Sequence, residues 1–395
     1  MKQDEATLLG DFARWLIEVA AATRETGPTG ELHRLFCEKL LALGIPLWRS
    51  SLGLELLHPE IGGAQIRWTA HEITVETSPR NANRSDYDNS PAQIVDETSR
   101  PYRRKLDGPV TDMQLLEGLR RAGASDYYIV PLPFLDRQRS AHISFATQRP
   151  QGFDDREIAL LTDAALLFGP YAERRVLKRI ALDLLATYVG RRSAAKVYDG
   201  DIDRGEAEMI TATILIADMR GFTHYSDTHP IADVLSTLND FFDILVAAIE
   251  AHDGEILKFI GDALLAIFPA GEGEALPSAP AIAAALEAKR RIAELNGDRA
   301  RAGRTLLKFG LALDAGEIAY GNIGSKGRLD FTAIGPAINH AARLLEVAKR
   351  TNRDIVVSES FARGARDFRF ESLGAHALRG IDGDQRVFGI PDGRS

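Results

Sequence analysis

Only one cysteine, Cys37, occurs in the 395 residues, so no intrachain disulfide can form and a reducing, cytoplasmic setting is expected. A free thiol of this kind is expected in an apolar core. Long apolar runs are missing too. The stretch from Ile158 to Tyr171 is interrupted by Asp163 and is too short to span a bilayer. The opening Met1-Lys2-Gln3-Asp4-Glu5 is too acidic for a secretory leader, so no membrane partner is expected. Nor is there an excess of positive charge. With 48 Lys and Arg against 56 Asp and Glu, the net charge of -8 offers no broad cationic field to a nucleic-acid backbone. A small polyphosphate stays open as a partner, held by a few placed bases or by metal.

What is present is ordinary for a globular protein, 45% hydrophobic and 26% charged residues, in a chain long enough for two cores. Leu8, Phe12, Leu16, Val19 and Ala22 recur at helical spacing from Ala6 to Ala22, and a second such pattern runs from Leu32 to Leu43. Trp48 to Val75 reads as short strands and Ser78 to Arg100 as a polar loop. Tyr127 to Phe134 and Ala141 to Thr147 form a predicted hairpin around Leu135-Asp136-Arg137-Gln138. Asp154 as N-cap, with Glu157 closing a capping box and Phe153 placed to staple onto Ile158, opens a long helix. That helix is expected to break at Gly169-Pro170, resume from Glu173 to Tyr188, and give way to a connector from Gly190 to Asp203. The order of helix, helix, strands, hairpin and exit helix resembles a GAF-type sensor domain. That resemblance would make residues 1–170 an α+β sensory unit and 171–205 a helical linker. It supplies no effector, whether small molecule or protein.

Residues 206–395 have a different grain. Ala212 to Ala217 reads as a strand. Pro230 to Ala251 reads as a helix with Leu235, Leu238, Phe242, Leu245 and Ile249 on one face. Glu255 to Ile260 and Ala263 to Phe268 form a hairpin turned at Gly261-Asp262. A Gly-, Ala- and Pro-rich loop from Ala270 to Pro280 leads to an Ala-rich helix, Ile282 to Leu295. Two strands, Leu307 to Leu313 and Glu317 to Ile323, a helix from Ala337 to Arg350 and the strand Ile355-Val356-Val357 complete the pattern. The simplest architecture is α+β, a ferredoxin-like βαββαβ sheet with one face covered by helices.

Two carboxylates mark the candidate chemistry. Asp218 ends an apolar strand just before a Gly-containing turn, Met219-Arg220-Gly221-Phe222-Thr223, of a kind that can aim backbone N–H groups at phosphate. Asp262 sits at a hairpin tip between two buried strands, and neighbouring strands would bring both acids to one rim. A pair of carboxylates with a phosphate chain suits hard divalent cations, which favour oxygen ligands. Taken singly, either acid reads more readily as a turn residue or cap.

Five ordered segments decide between these readings. Ala217-Asp218-Met219-Arg220-Gly221-Phe222-Thr223, Lys258-Phe259-Ile260-Gly261-Asp262, Gly321-Asn322-Ile323-Gly324, Asp330-Phe331-Thr332-Ala333-Ile334-Gly335 and Asn339-His340-Ala341-Ala342-Arg343 together resemble the catalytic domain of class III adenylate and guanylate cyclases. The resemblance spans roughly Ile210 to Ile390. It implies that Asp218 and Asp262, assisted by the Met219 carbonyl, bind two Mg²⁺ or Mn²⁺ ions, and that the amides of Gly221, Phe222 and Thr223 hold phosphate. The ribose 3′-hydroxyl would then attack the α-phosphorus in line. By the same resemblance Asn339 positions the ribose, Arg343 clamps charge at the α-phosphate, and Arg379 in Ala377-Leu378-Arg379-Gly380 is a candidate phosphate ligand. Pro336 stands where relatives commonly carry Asp or Asn, a change in capping that a helix N1 position tolerates.

The base reader is expected to favour ATP. Adenine presents an acceptor at N1 and a donor at N6. Lys258 is donor-only and Thr332 can accept, although a hydroxyl can also donate. A guanylate cyclase and a nucleotide-sensing dimer without turnover stay open as alternatives. The family builds its site between two catalytic domains, so one chain carrying both residue sets implies a homodimer with shared active sites.

Overall fold

The computed structural model describes residues 2–22, 30–56, 60–81, 87–134, 141–200, 203, 205–271 and 275–391. Its contacts divide the chain into two compact units, Met1–Leu184 and Leu185–Ser395.

In the first unit α1 (Lys2–Ala22) and α2 (Gly30–Ala42) precede three strands, β1 (Arg49–Glu55), β2 (Ile61–Thr69) and β3 (Ile73–Pro79). Next come α3 (Pro91–Thr98), β4 (Tyr102–Lys105), α4 (Gln114–Arg121), β5 (Asp126–Pro131), β6 (Ala141–Thr147) and α5 (Asp155–Val189). The sheet order is β3-β2-β1-β6-β5-β4. Period-two alternation sends Leu52, Ile66, Phe145, Ile143, Tyr128 and Val130 to one face, where Phe12, Leu16, Phe36, Cys37 and Phe168 of the helices close a core. The hairpin of β5 and β6 forms as expected, while its turn at Leu135-Asp136-Arg137-Gln138 lies outside the described residues.

Three expectations fail here for identifiable reasons. The polar stretch after Ser78 contains α3, because Ser90 caps it by accepting from the Gln93 N–H at 3.3 Å and Pro91 enters at its first turn. The break at Gly169-Pro170 does not occur. Pro170 sits inside one 35-residue helix, α5, whose buried Phe168, Ala172 and Val176 hold it to the core through the lost hydrogen bond. The connector after Gly190 contains another helix, α6 (Arg191–Asp199). The capping box does form, with Glu157 N–H donating to Asp154 Oδ1 and Asp154 N–H to Glu157 Oε2, each at 2.8 Å.

The second unit continues with β7 (Ala207–Met219), α7 (Phe222–Thr228), α8 (Ile231–Glu250), β8 (Glu255–Ile260), β9 (Ala263–Pro269) and α9 (Ser278–Arg301). Then follow β10 (Phe309–Ser325), β11 (Arg328–Ile334), α10 (Pro336–Arg350), β12 (Ile355–Ser358), α11 (Glu359–Gly364), β13 (Glu371–Ala377) and β14 (Asp384–Gly389). The sheet order is β13-β14-β12-β10-β7-β9-β8, with β11 paired to β10. The two strands expected between Leu307 and Ile323 are one strand, β10, unbroken because Asp314 to Gly316 keep their ladder to β7.

Helices cover both faces of this sheet, not one. Leu215, Ala217, Leu264, Ala266, Leu311 and Leu313 meet Phe241 and Leu245 of α8 and Ala281, Ala285 and Ala288 of α9. On the opposite face Ile214, Ile216, Leu265 and Ile318 meet Ala341 of α10, with Val197 of α6 partly buried against them. The face of α8 is also rotated from the expected one. Leu235 is 52% exposed, whereas Thr237 is buried because Arg299 Nη2 donates to its hydroxyl at 3.1 Å.

The sheet curls hard enough that its hydrogen-bonded ends meet. β11 and β8 lie at opposite ends of the path β11-β10-β7-β9-β8, yet Lys258 Nζ of β8 bonds Asp330 of β11. Deeper in, the Tyr320 hydroxyl of β10 lies 3.1 Å from both carboxylate oxygens of Glu255 on β8. Ser193 of α6 donates its N–H and hydroxyl to the same carboxylate at 3.3 and 3.2 Å.

In the first unit the fully buried Asp126 accepts from Arg103 Nη2 at 2.7 Å and from the Phe153 N–H at 3.0 Å, and Gly152, at φ +73, leaves it room. Asp126→Ala strands both donors and should destabilise this unit by about 2 kcal/mol or more. The expected result is an earlier first transition in chemical denaturation with the second unchanged.

Candidate active site

Asp218 lies one residue from the end of β7, in register with Gly310 of β10 and Ala263 of β9. Asp262 fills the turn from β8 to β9, where Gly261 takes φ +65, and its carbonyl accepts from the Met219 N–H at 3.4 Å. That bond ties the two acid-bearing segments together. Burial, and then the hydrogen bond and charge of the adjacent Asp262 carboxylate, push the Asp218 carboxyl up to about 7. Its Oδ1 is buried with no hydrogen-bond partner among the described residues.

This donor set fits divalent cations. Two carboxylates face each other, one desolvated and unsatisfied, so a bound cation would neutralise a repulsion that the fold itself leaves standing. Among the described residues no group of three or more His, Cys, Asp or Glu side chains could hold a metal. Further ligands would therefore be backbone, water or phosphate oxygens.

Beside the acids the chain reverses at Gly221, whose φ of +76 favours glycine, and α7 begins. The first bond of that turn runs from the Tyr225 N–H to the Gly221 carbonyl at 3.0 Å, so the amides of Phe222 and Thr223 have no partner within the helix. Arg220 anchors the reversal. Its backbone N–H donates to the Lys308 carbonyl at 2.7 Å, and its guanidinium donates to the carbonyls of Ala348, at 3.0 Å, and Arg353. The acid-bearing turn is thereby fixed to the end of α10.

Asp330 and Thr332 share one face of β11 by period-two alternation, and Lys258 is seated on Asp330. Thr332 is buried opposite Gly321. The curl of the sheet thus collects a cation, a carboxylate and a hydroxyl from strands distant in pairing order.

Asn339 and Arg343 follow one another by one turn on α10. Asn339 is exposed, and Arg343, 41% exposed, pairs with Glu346 at 3.2 Å. Among the described residues no hydrogen bond or ion pair joins either to Asp218 or Asp262. A buried network fixes the first turn of α10: His340 Nδ1 lies 2.7 Å from Asp314 Oδ2, and Ser358 and Ser360 donate to Asp314 Oδ1. Burial raises the Asp314 carboxyl, but the bonds from His340, Ser358 and Ser360 outweigh it and hold the group below its ordinary value. Arg379 is exposed in the turn between β13 and β14, four strands from β7. Within one chain the structure does not bring it to the acids.

Sequence reasoning assigned no role to Asp330, Arg220, His340 or Asp314. Asp330 and Arg220 stand inside the quoted motifs, and the two-residue offset from Thr332 marks Asp330 as a neighbour on the same face. Asp314 carries no such signal, since its partners lie 26, 44 and 46 residues away.

Comparison with known proteins bears on the second unit. Residues 206–391 match the family model described as adenylate and guanylate cyclase catalytic domain. Two uncharacterized proteins of Mycobacterium tuberculosis are 38% identical over 167 residues, 42% of this chain, and 36% identical over 208 residues, 52% of this chain. The aligned parts are 30% and 37% of those proteins, so the chain spans about a third of its relatives' length. Similar solved structures include the adenylyl cyclase CyaB from P. aeruginosa, 22% identical with a TM-score of 0.43, covering 48% of this chain and 97% of that one. Another is the guanylyl cyclase Cya2, 26% identical with a TM-score of 0.42, covering 47% of this chain and 95% of that one.

The acid pair carries a measurable conflict. A raised carboxyl pKa means the folded chain holds a proton that the unfolded chain releases, so this site's contribution to stability falls as pH rises from about 4 towards 7. With a chelator present, Asp262→Asn should therefore raise the Tm above wild type at pH 8 and lose most of that advantage at pH 5.5. A thermal melt of both chains at the two pH values checks this.

Proposed function

Residues 206–391 belong to the adenylate and guanylate cyclase catalytic domain family, and from that premise we propose that the chain converts ATP to 3′,5′-cyclic AMP and pyrophosphate. Lys258 carries the choice of ATP. Its ammonium, held at the β11 face by Asp330, is donor-only and suits adenine N1, while the Thr332 hydroxyl accepts from N6. Asp330 acts here as a positioning residue, holding the cation beside Thr332.

Asp218 and Asp262, with the Met219 carbonyl, would hold two divalent ions, Mg²⁺ or Mn²⁺. Bound there, these ions supply Lewis acidity to the ribose hydroxyl and the phosphate chain. The amides of Gly221, Phe222 and Thr223 cradle the β- and γ-phosphates, with Arg379 as a further phosphate ligand. Asn339 orients the ribose so that its 3′-oxygen lies in line with the α-phosphorus. The new bond joins the 3′-oxygen to that phosphorus, the bond to the α,β-bridging oxygen breaks so that pyrophosphate leaves with its electron pair, and the hydroxyl proton passes to solvent water. Arg343 meets the charge that grows on the α-phosphate oxygens.

We further infer a homodimer in which the acids of one protomer work with Lys258, Thr332, Asn339 and Arg343 of its partner. The exposed apolar residues support this reading. Phe259 and Ile260 follow Lys258, and Leu329 and Ile334 flank the Asp330 and Thr332 pair, all more than a third exposed. Arg343 pairs with Glu346 and, among the described residues, makes no bond to the acids of its own chain, which fits the same reading. Residues 1–170 are proposed as the sensory unit and 171–205 as the linker that sets the dimer's orientation.

Product identification after incubation with ATP or GTP and Mg²⁺ or Mn²⁺ tests the assignment, and cyclic GMP as the preferred product would overturn it. Arg343→Ala should lower kcat about a hundredfold. Conversion towards GTP needs a step that the motif alone would not suggest. Lys258→Glu sets a carboxylate against Asp330, so Lys258→Glu/Thr332→Cys is expected to need Asp330→Asn before its GTP turnover exceeds that of wild type.

A further inference from the structure

The sheet of the first unit has two unlike faces. One is apolar and sealed by α1, α2 and α5. The register puts a polar set on the other: Arg49 and Ser51 of β1, Ser144 and His142 of β6, Tyr127 of β5 and Gln65 of β2. A polar sheet face normally meets water. This one is roofed by Ala92 of α3 and by Leu115 and Leu119 of α4, and a partly open cavity of about 40 Å³ lies between.

Buried polar atoms gather there without partners. Ser51 Oγ, in a residue 8% exposed, Arg67 Nε, Thr74 Oγ1 and His142 Nδ1 lack hydrogen bonds among the described residues, and all belong to this face. Groups of this kind are costly unless something satisfies them. Charged groups gather in the same place. Arg67 is bonded through both terminal nitrogens to Glu76, at 2.9 and 3.2 Å, and His142 lies 3.6 Å from Asp96. Arg49 has no carboxylate partner among the described residues, and burial, then the charge of Arg67, lower its pKa from the ordinary value.

We propose that this cavity binds a small organic monocarboxylate. The Arg49 guanidinium takes the carboxylate as a planar fork, as Arg67 takes Glu76 beside it. The unpartnered Ser51 hydroxyl donates to the same carboxylate, and Leu115, Leu119 and Ile129 receive a body of one or two carbons. The small, partly apolar space favours a short carboxylate over a doubly charged phosphate. The site lies wholly in the first unit and does not depend on the reaction proposed for the second.

Isothermal titration of the full chain with sodium acetate, sodium propionate and inorganic phosphate, at fixed ionic strength, tests it. At least one of the two carboxylates should bind saturably at one per chain. Arg49→Gln should weaken that binding at least tenfold, and Leu115→Trp, a change at a partly exposed helix position that fills the cavity, should abolish it. Native circular dichroism of both variants keeps loss of fold apart from loss of site. The proposal falls if neither carboxylate binds, if both variants bind as wild type does, or if phosphate binds more tightly than both carboxylates.

Discussion

Closure of β8 onto β11 is the constraint on which the catalytic unit depends. Backbone hydrogen bonds alone would leave those strands at opposite ends of a twisted sheet. The Glu255 carboxylate, gathering Tyr320 and Ser193, and the Lys258 to Asp330 pair bend the sheet back on itself. A buried carboxylate with several donors is worth more than its separate bonds, because loss of any donor leaves a desolvated charge behind. The residues that would read a base have no common neighbourhood until this closure is made.

The opposite economy holds at the acids. Glu255 and Asp314 are buried carboxylates with their donors supplied by the fold. Asp218 is a partly buried carboxylate whose inner oxygen has none, and a second acid, Asp262, stands beside it. The same chain thus satisfies the carboxylates that hold its architecture and leaves an oxygen of Asp218, in the pair proposed for chemistry, without a partner among the described residues. Such an imbalance is characteristic of functional sites, where stability is given up for a charge that only a ligand will answer.

Much of this was legible in the amino-acid order. The capping box at Asp154, the β8 to β9 hairpin and the helix carrying Asn339 and Arg343 are local, written by residues within a few positions of one another. The acids, Lys258 and Thr332 could be named because their motifs are contiguous. What failed was non-local. β10 reads as two strands because Asp314 and Gly316 interrupt its apolar run, and only the ladder to β7 carries it through. Pro170 looks like a break until the core that holds the helix on both sides of it is known. Thr237 looks polar and exposed until Arg299, 62 residues on, is brought beside it. The polar face of the first sheet was likewise unreadable, since alternation shows which residues share a face but not what covers it.

The length of β10 has a consequence for how this protein can vary. Its even-numbered residues face α10: Gly310 beneath Leu345, Asp314 bonded to His340 and Gly316 against Ala337. Its odd-numbered residues Leu311, Leu313 and Ala315 fill the core beneath α8 and α9. One residue inserted or deleted between Phe309 and Asp314 would exchange the two sets beyond it, placing Asp314 in the apolar core and unseating Tyr320 from Glu255. Tolerated changes of length are therefore confined to the turn at Lys326-Gly327, beyond the last paired residue, and the interior of β10 acts as a ruler that substitution can alter but drift in length cannot.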